Sequence, residues 1–118
     1  MSVIENGSID VLAKYLDLTA TRQNAVAQNI ANLDTPGYRT KDVDFLGEVK
    51  KILEGNDFQS ATEMNVQGLV ERPDGNNVSS DREGLLLAQT QLQFRTGVQV
   101  LRSQMQRLSI AINEGRVG

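Results

Sequence analysis

The chain has 118 residues, of which 39% are hydrophobic and only 4% aromatic, with a formal charge of −3 and neither cysteine nor histidine. This composition suits one small domain with a mostly aliphatic core, and it excludes disulfides, thiolate nucleophiles, imidazole bases and the usual zinc ligands. The acidic balance also disfavours nucleic acid and anionic membranes as partners.

The first predicted element is an N-terminal helix within residues 1–33. Its apolar residues recur at alternating steps of three and four, the spacing of a helix that packs along its length against another helix. The predicted seam is Ile9, Leu12, Leu16, Thr19, Gln23, Val26, Ile30 and Leu33. Ser8 is a suitable N-cap. The helix is expected to end near Asn32, because Asp34-Thr35-Pro36-Gly37 disfavours its continuation.

A turn and a run of amides follow the seam. Thr35-Pro36-Gly37-Tyr38 fits a type II turn, with proline and glycine at its two central positions. The turn could serve only to stop the helix; we favour a second role, in which Tyr38 anchors the outgoing chain or a neighbouring subunit. Asn24, Gln28 and Asn32 fall four residues apart and form one amide stripe beside the seam.

The central segment, 34–80, differs in residue composition from the two helices and is expected to be irregular. A short amphipathic helix is predicted over 45–54, ended by Gly55-Asn56. An extended piece is expected near Glu63–Glu71, and Pro73-Asp74-Gly75-Asn76 reads as a turn.

The last predicted element is a C-terminal helix within 81–118, regular over 81–114. Its seam is Leu87, Gln91, Phe94, Val98, Leu101, Met105, Leu108 and Ile112. Ser80-Asp81-Arg82-Glu83 is a capping-box start, and Gly115 is a natural stop. The predicted fold is therefore mostly all-α: one domain in which long N- and C-terminal helices pair as an antiparallel, coiled-coil-like hairpin. No buried centre is expected beyond the seam.

Charge is unevenly distributed along this hairpin. No acidic residue occurs from Gly84 to Asn113, where glutamines and three arginines take the polar positions. Amides can hydrogen-bond across an interface without the cost of desolvating an ion, so this pattern favours surfaces that are covered by assembly. A surface that is merely polar remains the alternative.

No catalytic, cofactor or metal site is predicted. Asp42 and Asp44 could share a face of an extended strand, but no histidine is at hand to divide acid and base roles between them. The Asp74–Asn77 region lacks the ligand spacing and closing glutamate of a calcium loop. The arginines lack the interleaved aromatics of a nucleic-acid site, and bridges between subunits are the expected use.

Two motifs carry a family resemblance. The stretch AVAQNIANLDTPGYRTKDVDF (25–45) resembles the N-terminal signature of flagellar rod and hook proteins, and PDGNNVSSDRE (73–83), with the short length, points to proximal members of the rod family. Gln28 stands where that family more often has asparagine, and Ser79-Ser80 stands where it more often has Asp-Leu.

The resemblance implies a structural subunit, not an enzyme, that polymerises through its terminal helices into the proximal rod, the torque-transmitting and export-conducting tube of the bacterial flagellar basal body. It implies as partners other copies of the chain, other proximal rod proteins, the rod adaptor FliE, the MS ring and the flagellar export gate. It also implies a location on the periplasmic side of the inner membrane. Export without a cleaved signal peptide is expected, since the N-terminus lacks a basic region followed by a long apolar one.

The assembly and packing positions expected on this basis lie on both seams, the helix end and the turn: Leu12, Leu16, Val26, Asn29, Ile30, Asn32, Leu33, Pro36, Gly37, Tyr38, Phe94, Val98, Leu101, Met105, Leu108 and Ile112. Two other classes of function stay open. One is a coiled-coil export chaperone or adaptor of the flagellar system, and the other is an enzyme or nucleic-acid binder.

Overall fold

The protein is described by a computed structural model, which covers residues 2–55 and 61–117, with side chains described for 7–55 and 61–115. Its elements are helix α1 (Ser2–Ala31), strand β1 (Lys41–Val43), helix α2 (Phe45–Leu53), strand β2 (Glu63–Asn65) and helix α3 (Ser80–Val117). The mostly helical fold and the pair of long terminal helices are confirmed. Asn56 and the rest of 56–60, which the central-segment prediction included, lie outside the described residues.

The two long helices form an antiparallel hairpin. Asn29 near the end of α1 contacts Glu83 at the start of α3, whereas Leu16 lies against Gly97 further along. At about 1.5 Å per residue, α1 is about 45 Å long and α3 about 57 Å. The molecule is accordingly elongated, with principal extents of 71 × 25 × 15 Å.

A small core lies beside the hairpin, which corrects the expectation that nothing is buried beyond the seam. Leu18 on α1, Val43 on β1 and Ile52 on α2 are its buried members. Tyr15 and Phe45 add an edge-to-face ring pair, with centroids 5.9 Å apart. Helix α1 packs against α3 on one face and against this β1–α2 segment on another. The predicted seam accounts only for the face towards α3.

The central segment contains more order than its composition indicated. The short helix predicted over 45–54 is confirmed as α2, with Asp44 as its N-cap and a positive φ at Gly55 just after its end. The expected extended piece is confirmed in part as β2. It pairs antiparallel with β1, where Lys41 is opposite Asn65 and Val43 is opposite Glu63.

Three predicted helix ends are wrong. Ser8 is not an N-cap, because α1 begins at Ser2 and no proline interrupts the hydrogen bonding before residue 8. Gly115 does not stop α3, which continues to Val117 without a positive φ at this glycine. Ser79, not Ser80, accepts the bond that caps α3, from the Arg82 amide at 3.3 Å. Glu83 forms no capping box but points into the interior.

Candidate assembly surface and its supporting junction

The first helix ends in the predicted turn. The Tyr38 amide donates to the Thr35 carbonyl at 3.2 Å, and Gly37 has a φ of +77°, which fits position three of a type II turn. A side chain other than hydrogen is disfavoured at that φ. The type II turn is therefore confirmed, and it directs the chain from α1 towards β1.

A second turn, at 72–76, docks onto the first. The Gly37 amide donates to the Asp74 carbonyl at 2.9 Å, and the Asn77 amide donates to the Tyr38 carbonyl at 3.3 Å. Gly75, at a φ of +89°, approaches so closely that a Cβ there would lie 3.3 Å from the Gly37 Cα. The two glycines thus permit the close contact of two backbone turns.

The side chain of Asn76 completes this contact. It is fully buried, and its Nδ2 lies 2.9, 3.1 and 2.8 Å from the carbonyl oxygens of Asn32, Leu33 and Thr35. The Arg72 guanidinium also donates to the Leu33 carbonyl. These carbonyls belong to residues that follow Ala31, the last residue of α1, so Asn76 and Arg72 fix the chain where it leaves the helix. Sequence reasoning missed both, since neither follows a local capping pattern.

The end of α1, the turn at 35–38, β1 and the start of α3 meet in a polar contact that we call the junction, and Asn29 is its centre. Its Nδ2 donates to the Lys41 carbonyl at 2.8 Å and to Glu83 Oε2 at 3.1 Å. Its Oδ1 accepts from the Lys41 amide at 3.0 Å and from the Tyr38 hydroxyl at 3.1 Å. All four hydrogen-bonding positions of the amide are used. Asn29 therefore ties α1, the turn, β1 and α3 together, and Tyr38 anchors the outgoing chain within its own protomer.

A chain of charges extends from this centre. Arg22 donates to both oxygens of Asp42, at 3.1 and 3.2 Å. Arg82 donates to the same carboxylate at 3.0 Å and to Glu83 at 2.8 Å. Two arginines thus balance two carboxylates, of which Glu83 is fully buried. Both guanidinium groups bind Asp42, and Asp44 caps α2. The two carboxylates are therefore not arranged as an acid/base pair.

The electrostatics of the junction also act on Tyr38. Burial, and secondarily the negative charges of Glu63 and Glu83, raise the pKa of the Tyr38 hydroxyl above its ordinary value of 10.0. The hydroxyl is therefore held protonated, which is the form that donates to Asn29.

Beyond the junction, α1 and α3 meet where the large side chain of Leu16 packs against Gly97, which has no side chain. Gly97 is buried on α3, and a Cβ at this position would come 2.7 Å from Leu16 Cδ2. The absence of a side chain at Gly97 leaves the space that Leu16 occupies. Leu16 lies on the predicted seam of α1, whereas Gly97 lies one residue away from the seam predicted for α3.

The positions expected to serve in assembly fall into three groups. Val26 and Asn29 are buried. Partly buried positions are Leu12, Leu16, Asn32, Leu33, Tyr38, Val98, Leu101 and Leu108. Exposed positions are Ile30, Pro36, Gly37, Phe94, Met105 and Ile112. The two seams therefore supply part of the hairpin contact, and Phe94, Met105 and Ile112 form an exposed apolar margin along α3.

A further set of apolar residues, which the single seam missed, lies on the outside of α3: Leu85, Leu92 and Ile110, of which Leu85 is 70% exposed. They could have been found by testing the helix for more than one stripe. Apolar side chains on several sides of α3 are typical of a helix covered by more than one neighbour. We regard this exposed apolar surface, with the amide stripe at Asn24 and Gln28, as the candidate assembly surface.

Other kinds of site find little support in the described residues. Within 2–55 and 61–117, no three histidine, cysteine or acidic residues are grouped to hold a metal ion. The surface depression lined by Gln23, Gln91, Phe94 and Val98 is a shallow groove along the hairpin. Of the helices described, none combines the length and apolar character that crossing a membrane requires.

Comparison with known proteins gives consistent results. The profile of the family described as "Flagella basal body rod protein" matches residues 10–39, which comprise most of α1 and the turn after it. The flagellar basal body rod protein FlgB of Escherichia coli (strain K12) is 31% identical over 122 residues, covering 85% of this chain and 88% of its own. FlgB of Salmonella typhimurium is 34% identical with the same coverage. FlgB of Bacillus subtilis (strain 168) is 29% identical and covers 94% of this chain and 97% of its own.

Proposed function

The chain belongs to the flagellar basal-body rod protein family, and from this premise we infer that it is a structural subunit of the proximal rod. The observation that carries this inference is the extent of the similarity to FlgB proteins. It runs over most of the chain in each relative and is not confined to the turn signature. Neither the comparisons nor the described part of the chain favours the export chaperone or adaptor.

Assembly through the terminal helices is supported by what the hairpin leaves uncovered. Phe94, Met105 and Ile112 continue the apolar margin of α3 but are between 39% and 54% exposed. In a tube of packed helices, these side chains would leave water. Because about half of each is already buried, covering the rest would contribute about half of the roughly 1.5–3 kcal/mol gained when such a side chain is buried completely. The uncovered helix faces are therefore the surfaces through which copies of the chain polymerise.

The junction suits a subunit that transmits torque. A tube under torsion requires that the two helices of each subunit do not slide past one another. Asn29 and Glu83 fix the axial position of α1 against α3 by a buried hydrogen bond, and Leu16 beside Gly97 fixes it again further along. Two separated contacts of different kinds hold one register more firmly than a uniform apolar seam.

Partners and location follow from the place of a proximal rod subunit. Copies of the same chain and other proximal rod proteins would flank it laterally. The adaptor FliE, the MS ring and the flagellar export gate would lie at its base. Such a subunit works on the periplasmic side of the inner membrane and is exported without a cleaved signal peptide.

The test is a clean deletion of the gene in its own host, scored for swimming and for basal bodies by electron microscopy. We expect MS rings without rods, no swimming, and rescue by the wild-type gene supplied in trans. Intact rods and normal swimming in a strain without a second copy of the gene would overturn the proposal.

A further inference from the structure

Two pairs of opposite charges are placed with the same spacing on the two long helices. Asp10 and Asp17 lie seven residues apart on α1, and Arg95 and Arg102 lie seven residues apart on α3. Seven residues correspond to about 10.5 Å along a helix. All four residues are exposed. We call the first pair the acidic line and the second pair the arginine line.

Three of these four side chains have no partner in the described part of the protomer. Asp17, Arg95 and Arg102 make no side-chain hydrogen bond or ion pair there. Asp10 makes one bridge to Lys14, at 3.1 Å, within a single turn of α1. Such an exposed bridge contributes little stability, at most about 1 kcal/mol. Both lines are thus free to engage another molecule.

The register of the hairpin sets the two lines at matching heights. Asn29 is opposite Glu83 and Leu16 is opposite Gly97, so α1 and α3 run antiparallel. Counting along the helices from these contacts places Asp17 level with Arg95 and Asp10 level with Arg102. The pairs do not meet within the protomer because Leu16 faces α3, whereas Asp17, about 100° further round α1, faces solvent.

The surroundings of the two lines are complementary in size. Ala13 and Ala20 flank the acidic line, so a helix could approach α1 closely there. Phe94, Val98 and Met105 flank the arginine line and supply larger apolar groups. A narrow small-residue surface with two carboxylates and a broader apolar surface with two arginines at the same interval can therefore pack together, with Lys14 remaining on its bridge to Asp10.

We propose that the acidic line of one copy packs against the arginine line of the next, with Asp17 facing Arg95 and Asp10 facing Arg102. Copies related by rotation about an axis parallel to the hairpin, and by translation along it, all point the same way. The α1 of one copy is then antiparallel to the α3 of its neighbour, as within a protomer. Only a small axial offset is needed for the charges to meet.

The two lines are different surfaces of one molecule, so the contact is heterologous. A heterologous contact that does not close into a ring builds an open helical filament. This inference rests on the proposed function, since it assigns the lateral contact of the same assembly. It also gives the arginines of α3 a specific use.

Cysteine cross-linking tests the contact in assembled rods, because the chain has no cysteine of its own. We would express an Asp17→Cys/Arg95→Cys chain in the deletion strain, purify basal bodies and add a short bis-maleimide. The expected product is a ladder of cross-linked multimers. The matched control is Asp17→Cys/Thr96→Cys, which moves the second cysteine about 100° around α3 at nearly the same height. It is expected to give monomer.

Monomer alone from Asp17→Cys/Arg95→Cys in intact rods would overturn the contact while leaving the rod function standing. If the deletion strain still forms rods, the proposed function is overturned instead. If the Asp17→Cys/Arg95→Cys chain builds no rods, charge reversal tests the pairing of Asp17 with Arg95. Asp17→Arg and Arg95→Asp are each expected to abolish swimming, and the double variant is expected to restore it. Normal swimming in the single variants, or no recovery in a double variant that folds, would overturn the proposed pairing.

Discussion

The amide of Asn29 donates to the carboxylate of Glu83 at 3.1 Å, and both side chains are fully buried although 54 residues separate them. This bond joins the end of α1 to the start of α3. It also connects the hydrogen bonds of the turn, through Tyr38, to the charges of Arg82 and Asp42. The junction is therefore a polar core in a protein whose apolar core is small.

Asn29→Asp should be the most damaging isosteric change at the junction. It removes the donor to the Lys41 carbonyl and brings a second carboxylate beside Glu83 without a new cation. A buried charge that lacks compensation costs about 3–5 kcal/mol, and we expect a loss of that order in the free energy of unfolding from urea titration. Asn24→Asp, an exposed change of the same chemistry on the same helix, should stay within about 0.5 kcal/mol of wild type. A loss below about 1 kcal/mol for Asn29→Asp would show that the junction tolerates a second charge.

The close approach of Leu16 to Gly97 predicts a size limit on α3. Gly97→Leu inserts a side chain where a Cβ alone would meet Leu16 Cδ2 at 2.7 Å, so it should destabilise the protein by about 1–3 kcal/mol. The exposed Gly84 has open space around it, and Gly84→Ala should stabilise α3 by about 0.5–1 kcal/mol. Adding Leu16→Ala to Gly97→Leu should recover part of the loss. Equal effects of Gly97→Leu with and without Leu16 would contradict the contact.

Local patterns predicted the elements that local physics controls. The a/d spacing predicted both long helices, and Pro36-Gly37 predicted the turn, since each depends on neighbouring residues. The same reasoning placed Glu83 in a capping box, because its distant partner Asn29 is invisible in a local window. Asn76 was likewise assigned only to a turn.

The seams show a second limit. A hydrophobic stripe indicates that a helix packs, but it does not say how many neighbours the helix has. On α1 the seam found the face towards α3 and missed Leu18, which packs against β1 and α2. On α3 the predicted stripe includes Phe94 and Met105, which a lone protomer leaves exposed. A sequence that serves an assembly mixes both kinds of contact in one pattern.

The raised pKa of Tyr38 predicts a loss of stability in alkali. Well below the unfolded-state pKa of about 10, Tyr38 is protonated in both states and does not make the free energy of unfolding depend on pH. Above that pH, the free energy of unfolding should fall until the folded-state pKa is passed. The urea midpoint of wild type should therefore drop more steeply with pH than that of Tyr38→Phe, in which this titration is absent.

Absorbance of the phenolate provides a direct check. The chain has two tyrosines, so Tyr15→Phe leaves Tyr38 as the only reporter. The folded Tyr15→Phe protein should titrate above the ordinary tyrosine pKa, and the urea-unfolded protein should return to it. A folded protein that titrates at the ordinary value would contradict the burial and the influence of Glu63 and Glu83.

Ile30 offers a way to separate folding from assembly. Its side chain is 37% exposed at the end of α1, so Ile30→Asp should leave the protomer folded, with a helical circular dichroism spectrum like that of wild type. In the rod, the same carboxylate would be covered without a partner, which costs several kcal/mol per subunit, and we expect no rods and no swimming.

Leu101→Asp should also abolish assembly, but it changes a partly buried position and should cost stability as well. The control is Val70→Asp, an apolar-to-acidic change at an 89% exposed loop residue, which should swim normally. Normal rods with Ile30→Asp would mean that the end of α1 remains in water within the tube, and the lateral contacts of α1 would then be restricted to the part of the helix that carries Asp10 and Asp17.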